Sequence, residues 1–340
     1  MTDTTERRVF RLMRRPSGEL GDGDLVLSRE ALADILDDEV RIRTLLLSID
    51  PSNRIWMSDA DQYMPPVAIG APMRGVTLAV IEESRSSKFS PGDIVTPLDG
   101  EWASHQVLPA SRLARARPRE GIPLSALMSI FGPPGLTAHV GMVEIAGVKE
   151  GETVTVSAAA GAVGSVAGQI AKARGCRVIG IAGGPEKCAW LTDELGFDAA
   201  IDYKRYDVGT ELARLAPDGI HAHFENVGGA ILDAAIANMA EGGRIALCGL
   251  VSTYNEGGPV PGPREFQRVL MHRLTIRGFI VLDHFARARE AFAEIEELAR
   301  SGRLKWRDHI VEGLENAPDA LSLLFAGKNS GKLMVRVSDR

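Results

Sequence analysis

The chain has 340 residues, 45% of them hydrophobic, and a formal charge of −6 at neutral pH. That length and apolar content can bury a large core and suffice for two domains, while scattered basic residues on a net negative chain exclude nucleic acid as an expected partner. No apolar run approaches the roughly twenty residues that span a bilayer, and the charged start Met1-Thr-Asp-Thr-Thr-Glu-Arg-Arg8 lacks the apolar core of a secretory signal, so we expect a cytoplasmic protein with no membrane partner.

Up to about residue 130, short β-rich runs at 9–13, 40–47, 75–81 and 93–96 are broken by Pro and Gly, a spacing that predicts an irregular barrel. Beyond it, strands at 154–158, 177–182, 199–201, 221–225, 243–248 and 274–280 alternate with apolar helical patterns. Strand and helix in turn imply a parallel sheet covered on both faces. The last of these runs, 274–282, reads as an edge strand, which invites pairing with a second copy and so a homodimer. A charged amphipathic helix is predicted over 283–299, and short strands return at 308–311 and 332–337 to rejoin the first domain. The expected division is therefore 1–130 with 301–340 in one domain and 131–300 in the other, with the active site in the cleft between them.

The most informative segment is Val154-Thr-Val-Ser-Ala-Ala-Ala-Gly-Ala-Val-Gly-Ser-Val-Ala-Gly168, where a β-branched run passes through small residues into a helix. Such a strand–turn–helix binds a dinucleotide. Gly161 lets backbone approach the pyrophosphate, Gly164 and Gly168 let the helix lie close to the sheet, and the helix N-terminus presents N–H groups to phosphate. Ala159 stands where the usual first glycine would be, and alanine makes that turn if its φ stays negative. Ser165 adds a hydroxyl. A small-residue helix that merely packs tightly is the alternative, and the preceding strand weighs against it.

About twenty residues on, an NAD-binding fold places an acid against the adenosine ribose, but this chain reads Ile181-Ala-Gly-Gly-Pro-Glu-Lys187. Gly183 and Gly184 make room for a 2′-phosphate and Lys187 offers a compensating charge, with the Tyr203 phenol within reach after the next strand. The expected cofactor is NADP(H). Further strands end at Phe224-Glu-Asn-Val-Gly-Gly229 and Ala246-Leu-Cys-Gly249, and ligands of open α/β sheets sit at carboxyl ends of strands. Asn226 and Gly249 are thus candidate neighbours of the nicotinamide half, the alternative being ordinary turns.

Other chemistries lack support. Ser157 and Ser165 have no nucleophile-elbow context. The seven histidines, His105, His139, His221 and His272 among them, show no metal-ligand spacing. Cys176, Cys188 and Cys248 also lack it, and an odd count without a signal peptide argues for free thiols. We expect no metal site.

On these residues the chain resembles the medium-chain dehydrogenase/reductase superfamily over nearly its whole length. Within it, the chain is most similar to the zinc-independent leukotriene/prostaglandin reductases and the plant and bacterial double-bond reductases. The matching stretches are Ser48-Ile-Asp-Pro-Ser-Asn-Arg-Ile-Trp-Met57, Met73-Arg-Gly75, Pro134-Gly-Leu-Thr-Ala138, Ala158-Ala-Ala-Gly-Ala-Val-Gly-Ser165, Ala182-Gly-Gly-Pro-Glu-Lys187, Glu225-Asn-Val-Gly-Gly229, Ser252-Thr-Tyr-Asn255 and Gly327-Lys-Asn-Ser-Gly-Lys332. The resemblance implies an α/β fold class: a GroES-like β-rich barrel domain joined to a doubly wound parallel-sheet Rossmann domain. It also implies a dimer that reduces the carbon–carbon double bond of α,β-unsaturated ketones and aldehydes with NADPH.

Zinc alcohol dehydrogenases of the same superfamily carry a cysteine near position 50 and Gly-His-Glu near position 70. Here those regions read Ser48-Ile-Asp-Pro and Gly70-Ala-Pro-Met-Arg, so no thiolate is present there to hold a zinc. By family pattern, Lys187 and Tyr203 grip the 2′-phosphate, and Ala162, Val163, Gly164 and Ser165 form the pyrophosphate loop. Asn226, Cys248, Gly249, Tyr254, Phe279, Val281 and Asn329 surround the rest of the cofactor. Tyr254 is the candidate catalytic residue, donating a hydrogen bond or proton near the enolate, with the ribose 2′-hydroxyl as competing donor and simple bracing of the cofactor as the alternative role. His139 departs from the family's usual tyrosine. Trp56, Met57 and Met64 either shape an apolar substrate pocket or pack the core. A quinone oxidoreductase and an NADPH-binding protein without turnover are the competing functions.

Overall fold

Alternation of apolar and charged residues sets the first strand, where Val9, Phe10 and Leu12 are buried while Arg7, Arg8 and Arg11 stay partly in solvent. The structure, a computed structural model, describes residues 6–256 and 260–340, and divides into two units. The first comprises residues up to 128 together with 308–329 and 333–340. It opens with a hairpin of β1 (Glu6–Leu12) and β2 (Leu25–Ala31). There follow β3 (Glu39–Ser48), a short helix α1 (Ser52–Trp56), β4 (Thr77–Ser84), β5 (Ile94–Pro97), β6 (His105–Pro109) and β7 (Leu113–Arg115). β3 is the hub. It pairs antiparallel with β4 on one side and β6 on the other, and irregularities at Arg41/Ile42 and Thr44/Leu46 bend the ladder.

The second unit holds residues 129–307 and 330–332. It contains α2 (Pro133–Val140), β8 (Thr153–Val156), α3 (Gly164–Ala173), β9 (Arg177–Ala182), α4 (Pro185–Ala189), β10 (Ala199–Asp202) and α5 (Val208–Leu215). The unit continues with β11 (Ile220–Glu225), α6 (Gly229–Ala237), β12 (Met239–Leu247), α7 (Phe266–Met271), β13 (Thr275–Gly278) and α8 (Ala288–Arg300). All six strands run parallel in the order β10-β9-β8-β11-β12-β13. Counted from β8, this is the 3-2-1-4-5-6 order of dinucleotide-binding sheets, with the switch point between β8 and β11. Val154, Val156, Val178, Ile179 and Ile181 are buried, as a sheet covered on both faces requires. β13 is the edge, and Phe266, Leu270 and Met271 beside it are exposed.

The chain then returns to the first unit through β14 (Asp308–Glu312), α9 (Ala317–Phe325) and β15 (Lys332–Arg336), and the sheet order there is β14-β15-β3-β4-β5-β7. Phe10, Trp102, Met57, Leu314 and Leu321 share one core, with the Phe10 and Trp102 rings edge to face at 6.1 Å. The helix expected over 283–299 splits. A tight 3-10 turn covers Val281–Arg287 before α8 begins, fixed by the Arg287 to Glu144 ion pair at 2.7 Å and by His284 packing on the Phe279 ring.

Candidate active site

At the switch point, β8 leaves its last residue into a turn strained at Ala158, whose φ of +46° is left-handed. The special conformation thus falls one residue before Ala159, which keeps a negative φ. The Gly161 amide donates to the Ala158 carbonyl at 2.9 Å, and α3 starts at Gly164. A Cβ at Gly164 would come within 2.5 Å of the Ala158 oxygen, and one at Gly168 within 2.0 Å of the Phe197 ring. Glycine is therefore what brings the helix end onto the turn. Ala162 and Val163 are half-buried and lead into the first turn, where backbone N–H groups lack intrahelical partners and suit an anion. Ser165 is buried. The Gly331 amide donates to the Ala160 carbonyl at 2.8 Å and closes the turn from the far end of the sequence.

Beside this turn, β9 ends at Ala182, whose carbonyl accepts from the Tyr203 amide at 3.1 Å. A Cβ on Gly183 would lie 2.9 Å from the Tyr203 ring, so a bare backbone is needed beneath the phenol. Asp202, buried at the end of β10, accepts from the amides of Gly184 and Lys204 at 2.8 and 3.1 Å. Lys187 rises from α4, half-buried. Burial first, and the like charge of Lys204 second, hold its ammonium below the usual lysine range. Two cations crowded around a glycine-lined, phenol-covered bend match the needs of a phosphate monoester. Lys204 was not singled out from the sequence, although it directly follows Tyr203.

On the other side of the switch point, β11 ends at a fully buried carboxylate. Glu225 accepts from the Ser157 hydroxyl at 2.8 Å, from the Gly228 amide at 2.9 Å and from the Val227 amide, and its other oxygen lies 2.6 Å from His223 Nε2. Burial acts to raise this carboxyl, but the His223 charge and the convergent donors outweigh it and hold the group below the ordinary carboxylate range. Asn226 sits next in the chain, its amide donating to Ser157 Oγ and its side chain to the Ser157 carbonyl, both at 2.7 Å. The Glu225 carbonyl takes the amides of Cys248 and Gly249 at 2.9 and 3.1 Å. Tyr254 folds back over this loop, its hydroxyl accepting from the Leu250 amide at 3.1 Å and lying against Gly249. Phe279 packs edge-on against Phe224 at 6.3 Å, and Val281 follows it at the start of the 3-10 turn.

Two family models match the chain, one described as the N-terminal domain of oxidoreductase over residues 8–116 and one as zinc-binding dehydrogenase over 162–299. The NADPH-dependent curcumin reductase of Escherichia coli (strain K12) is 38% identical over 336 residues, 97% of each chain. The chain belongs to the double-bond reductases of the medium-chain dehydrogenase/reductase family. A 2-alkenal reductase (NADP(+)-dependent) of Nicotiana tabacum is 39% identical over 304 residues, 88% of each chain. The crystal structure of CurA in complex with NADPH from Vibrio vulnificus superposes with a TM-score of 0.92 at 38% identity, covering 98% of this chain and all of that one.

Asn329 belongs to the first unit, immediately before the 330–332 segment that joins the second. Trp56 and Met57 are core residues of the first unit, and Met64 packs against that core. Trp56 Nε1 donates to the Tyr63 hydroxyl at 3.1 Å, and Arg74 lies 5.6 Å over the Trp56 ring. All three cysteines are free thiols, and burial pushes Cys176 up to about 11 and Cys248 up to about 12. Among the described residues, no group of three or more His, Cys, Asp or Glu side chains is placed to hold a metal ion. A cavity of about 420 Å³ lies at the amino ends of β11 and β12, between Asn238, Glu241, Arg268 and His272, and holds none of the expected site residues.

His139 turns to structural use. It is buried on α2, and its Nε2 lies 2.9 Å from Glu294 on α8, whose carboxylate also takes Arg174, the residue that follows α3. The hydrogen bond to His139, then that to Arg174, hold the Glu294 carboxyl down at about 2, against an ordinary 4.5. A depressed carboxyl contributes stability that is complete above its unfolded value and is lost as pH falls through the folded one. The difference in unfolding midpoint between wild type and Glu294→Gln should therefore be widest near neutral pH and shrink steadily below 4.5. A gap unchanged down to about pH 3 in a denaturation series would show that the carboxylate contributes nothing through its charge.

Proposed function

We propose that this chain reduces the carbon–carbon double bond of α,β-unsaturated ketones and aldehydes with NADPH. The observation that carries the reading is the glycine turn at the sheet's switch point, flanked on the β9 side by Gly183, Lys187, Tyr203 and Lys204. The cofactor named for the E. coli, tobacco and Vibrio relatives supports the same reading. NADPH, when bound, supplies the hydride.

The protein's own groups bind, orient and polarise. The first-turn amides of α3, reached through Ala162, Val163, Gly164 and Ser165, hold the pyrophosphate. Lys187, Tyr203 and Lys204 hold the 2′-phosphate, with Gly183 leaving space. Asn226, Cys248, Gly249, Phe279, Val281 and Asn329 border the remainder. Tyr254 donates a hydrogen bond to the substrate oxygen as negative charge gathers there during addition at the β-carbon. Its hydroxyl oxygen already accepts the Leu250 amide, and accepting one hydrogen bond strengthens the donation of another.

A homodimer is part of the reading, formed through the β13 edge, where Phe266, Leu270 and Met271 stay exposed. Free thiols fit a cytoplasmic location. No helix among the described residues is long and apolar enough to cross a membrane.

Three measurements test these assignments. Lys187→Ala should raise the KM for NADPH by about 10- to 100-fold, the worth of a charge-assisted phosphate contact, and leave turnover with NADH unchanged. An equal loss with both coenzymes would remove Lys187 from the phosphate site. Tyr254→Phe should lower kcat on a simple enone about 100-fold with little change in KM for NADPH, and undiminished turnover would leave the phenol only a bracing role. Light scattering at micromolar concentration should give twice the chain mass, and a monomer mass alone would end the dimer assignment.

A further inference from the structure

Three loops leave the carboxyl ends of β8, β11 and β12 around the sheet's switch point, and a single residue, Glu225, ties them together. Glu225 takes the Ser157 hydroxyl from the first loop and the amides of Val227 and Gly228 from its own. Its backbone carbonyl takes Cys248 and Gly249 from the third. The Ser157 hydroxyl oxygen in turn accepts the Asn226 amide, so one chain of bonds runs from the carboxylate to the residue beside the ligand position. Val251 and Ser252 then donate to the carbonyls of Asn226 and Val227 at 3.1 and 3.0 Å, and the Ser252 hydroxyl also donates to Val227. The loop carrying Tyr254 is thereby fixed to the loop carrying Asn226.

An ion with no solvent contact needs a counter-charge and a full set of donors. His223, equally buried and two residues back on the same strand, sets its Nε2 2.6 Å from the carboxylate, and its other ring nitrogen meets the Thr155 hydroxyl on β8 at 2.7 Å. A neutral core would pack β11 as well. An arrangement this specific fixes geometry where an apolar side chain would only fill volume.

We propose that Glu225, with His223 as its buried partner, is the positioning residue for the nicotinamide half of the site, setting Asn226 and the 248–254 loop in register with the glycine turn. The inference rests on the dinucleotide reading and deepens it. In a sheet of this order the adenosine half lies over β8, β9 and β10 and the nicotinamide half over β11 and β12. Glu225 therefore acts on one half only, which separates positioning from general support of the fold.

The experiment compares the affinities of NADPH and adenosine 2′,5′-bisphosphate, by calorimetry, in wild type and in Glu225→Gln, His223→Gln and Ser157→Ala, together with the primary deuterium isotope effect on NADPH oxidation by an enone. Glu225→Gln keeps one acceptor oxygen for the two amides but removes the negative charge and turns an NH2 group toward His223. It should weaken NADPH about tenfold or more and raise the isotope effect, with the bisphosphate affinity held within about twofold. His223→Gln should show the same split. Ser157→Ala keeps the buried pair and removes only the bridging hydroxyl, so it folds even if the charge variants do not, and should weaken NADPH a few-fold without moving the bisphosphate. Equal weakening of both ligands, or no change in Ser157→Ala, would overturn the positioning role. Wild type that binds both ligands but oxidises NADPH with no enone would instead overturn the proposed reaction and leave the affinity split to judge Glu225.

Discussion

A carboxylate buried in a protein interior is tolerable only when its charge is answered on every side, and in this reductase that condition falls on Glu225. The donors that answer it come from the loops after β8 and β11, and the backbone carbonyl of the same residue takes two amides of the loop after β12, which constrains three loops at once. Because those loops leave the carboxyl ends of β8, β11 and β12, the rigid centre of the sheet is carried outward to the surface where ligands of such sheets bind. The strained Ala158, the closed Gly161 turn and the folded-back Tyr254 all lie within one or two bonds of this centre.

The other end of the site follows a different logic. Close to Lys187 stands a second cation, Lys204, whose like charge helps hold its ammonium down. Like charges held close disfavour each other until an anion joins them. Glycine at 183 performs a negative service by keeping the space under the Tyr203 ring open. One half of the site is thus organised by a satisfied internal ion and the other by a cationic cluster suited to an external one.

Much of the second unit was legible because parallel strands buried on both faces are near-continuous apolar runs, and β9 was placed from sequence with its observed limits. The turn was legible through Gly161, Gly164 and Gly168, whose missing side chains are a steric requirement. Ala159 keeps the negative φ that an alanine at that place requires, while the left-handed residue is Ala158, which nothing in three consecutive alanines distinguishes. Lys204 and the His223–Glu225 pair escaped notice for a related reason. Their roles depend on which neighbour each meets across the sheet, and a strand's spelling does not disclose its partner. In the first unit β2, β6 and β7 were missed, being short or half-exposed strands with weak apolar signals. His139 departs from the family's usual tyrosine, and its partner Glu294 lies on α8, 155 positions away, where the sequence does not disclose it.

Gly331 donates to the carbonyl of Ala160, 171 positions earlier in the chain, and β15 inserts between β14 and β3 in the first sheet. A nascent polypeptide emerging from the ribosome therefore holds a six-stranded sheet long before it can seal the turn at its centre, and an amino-terminal sheet that lacks an interior strand. Both gaps close with the same short stretch. Residues 331–336 thus complete both units, and neither has its full pairing until that stretch is present.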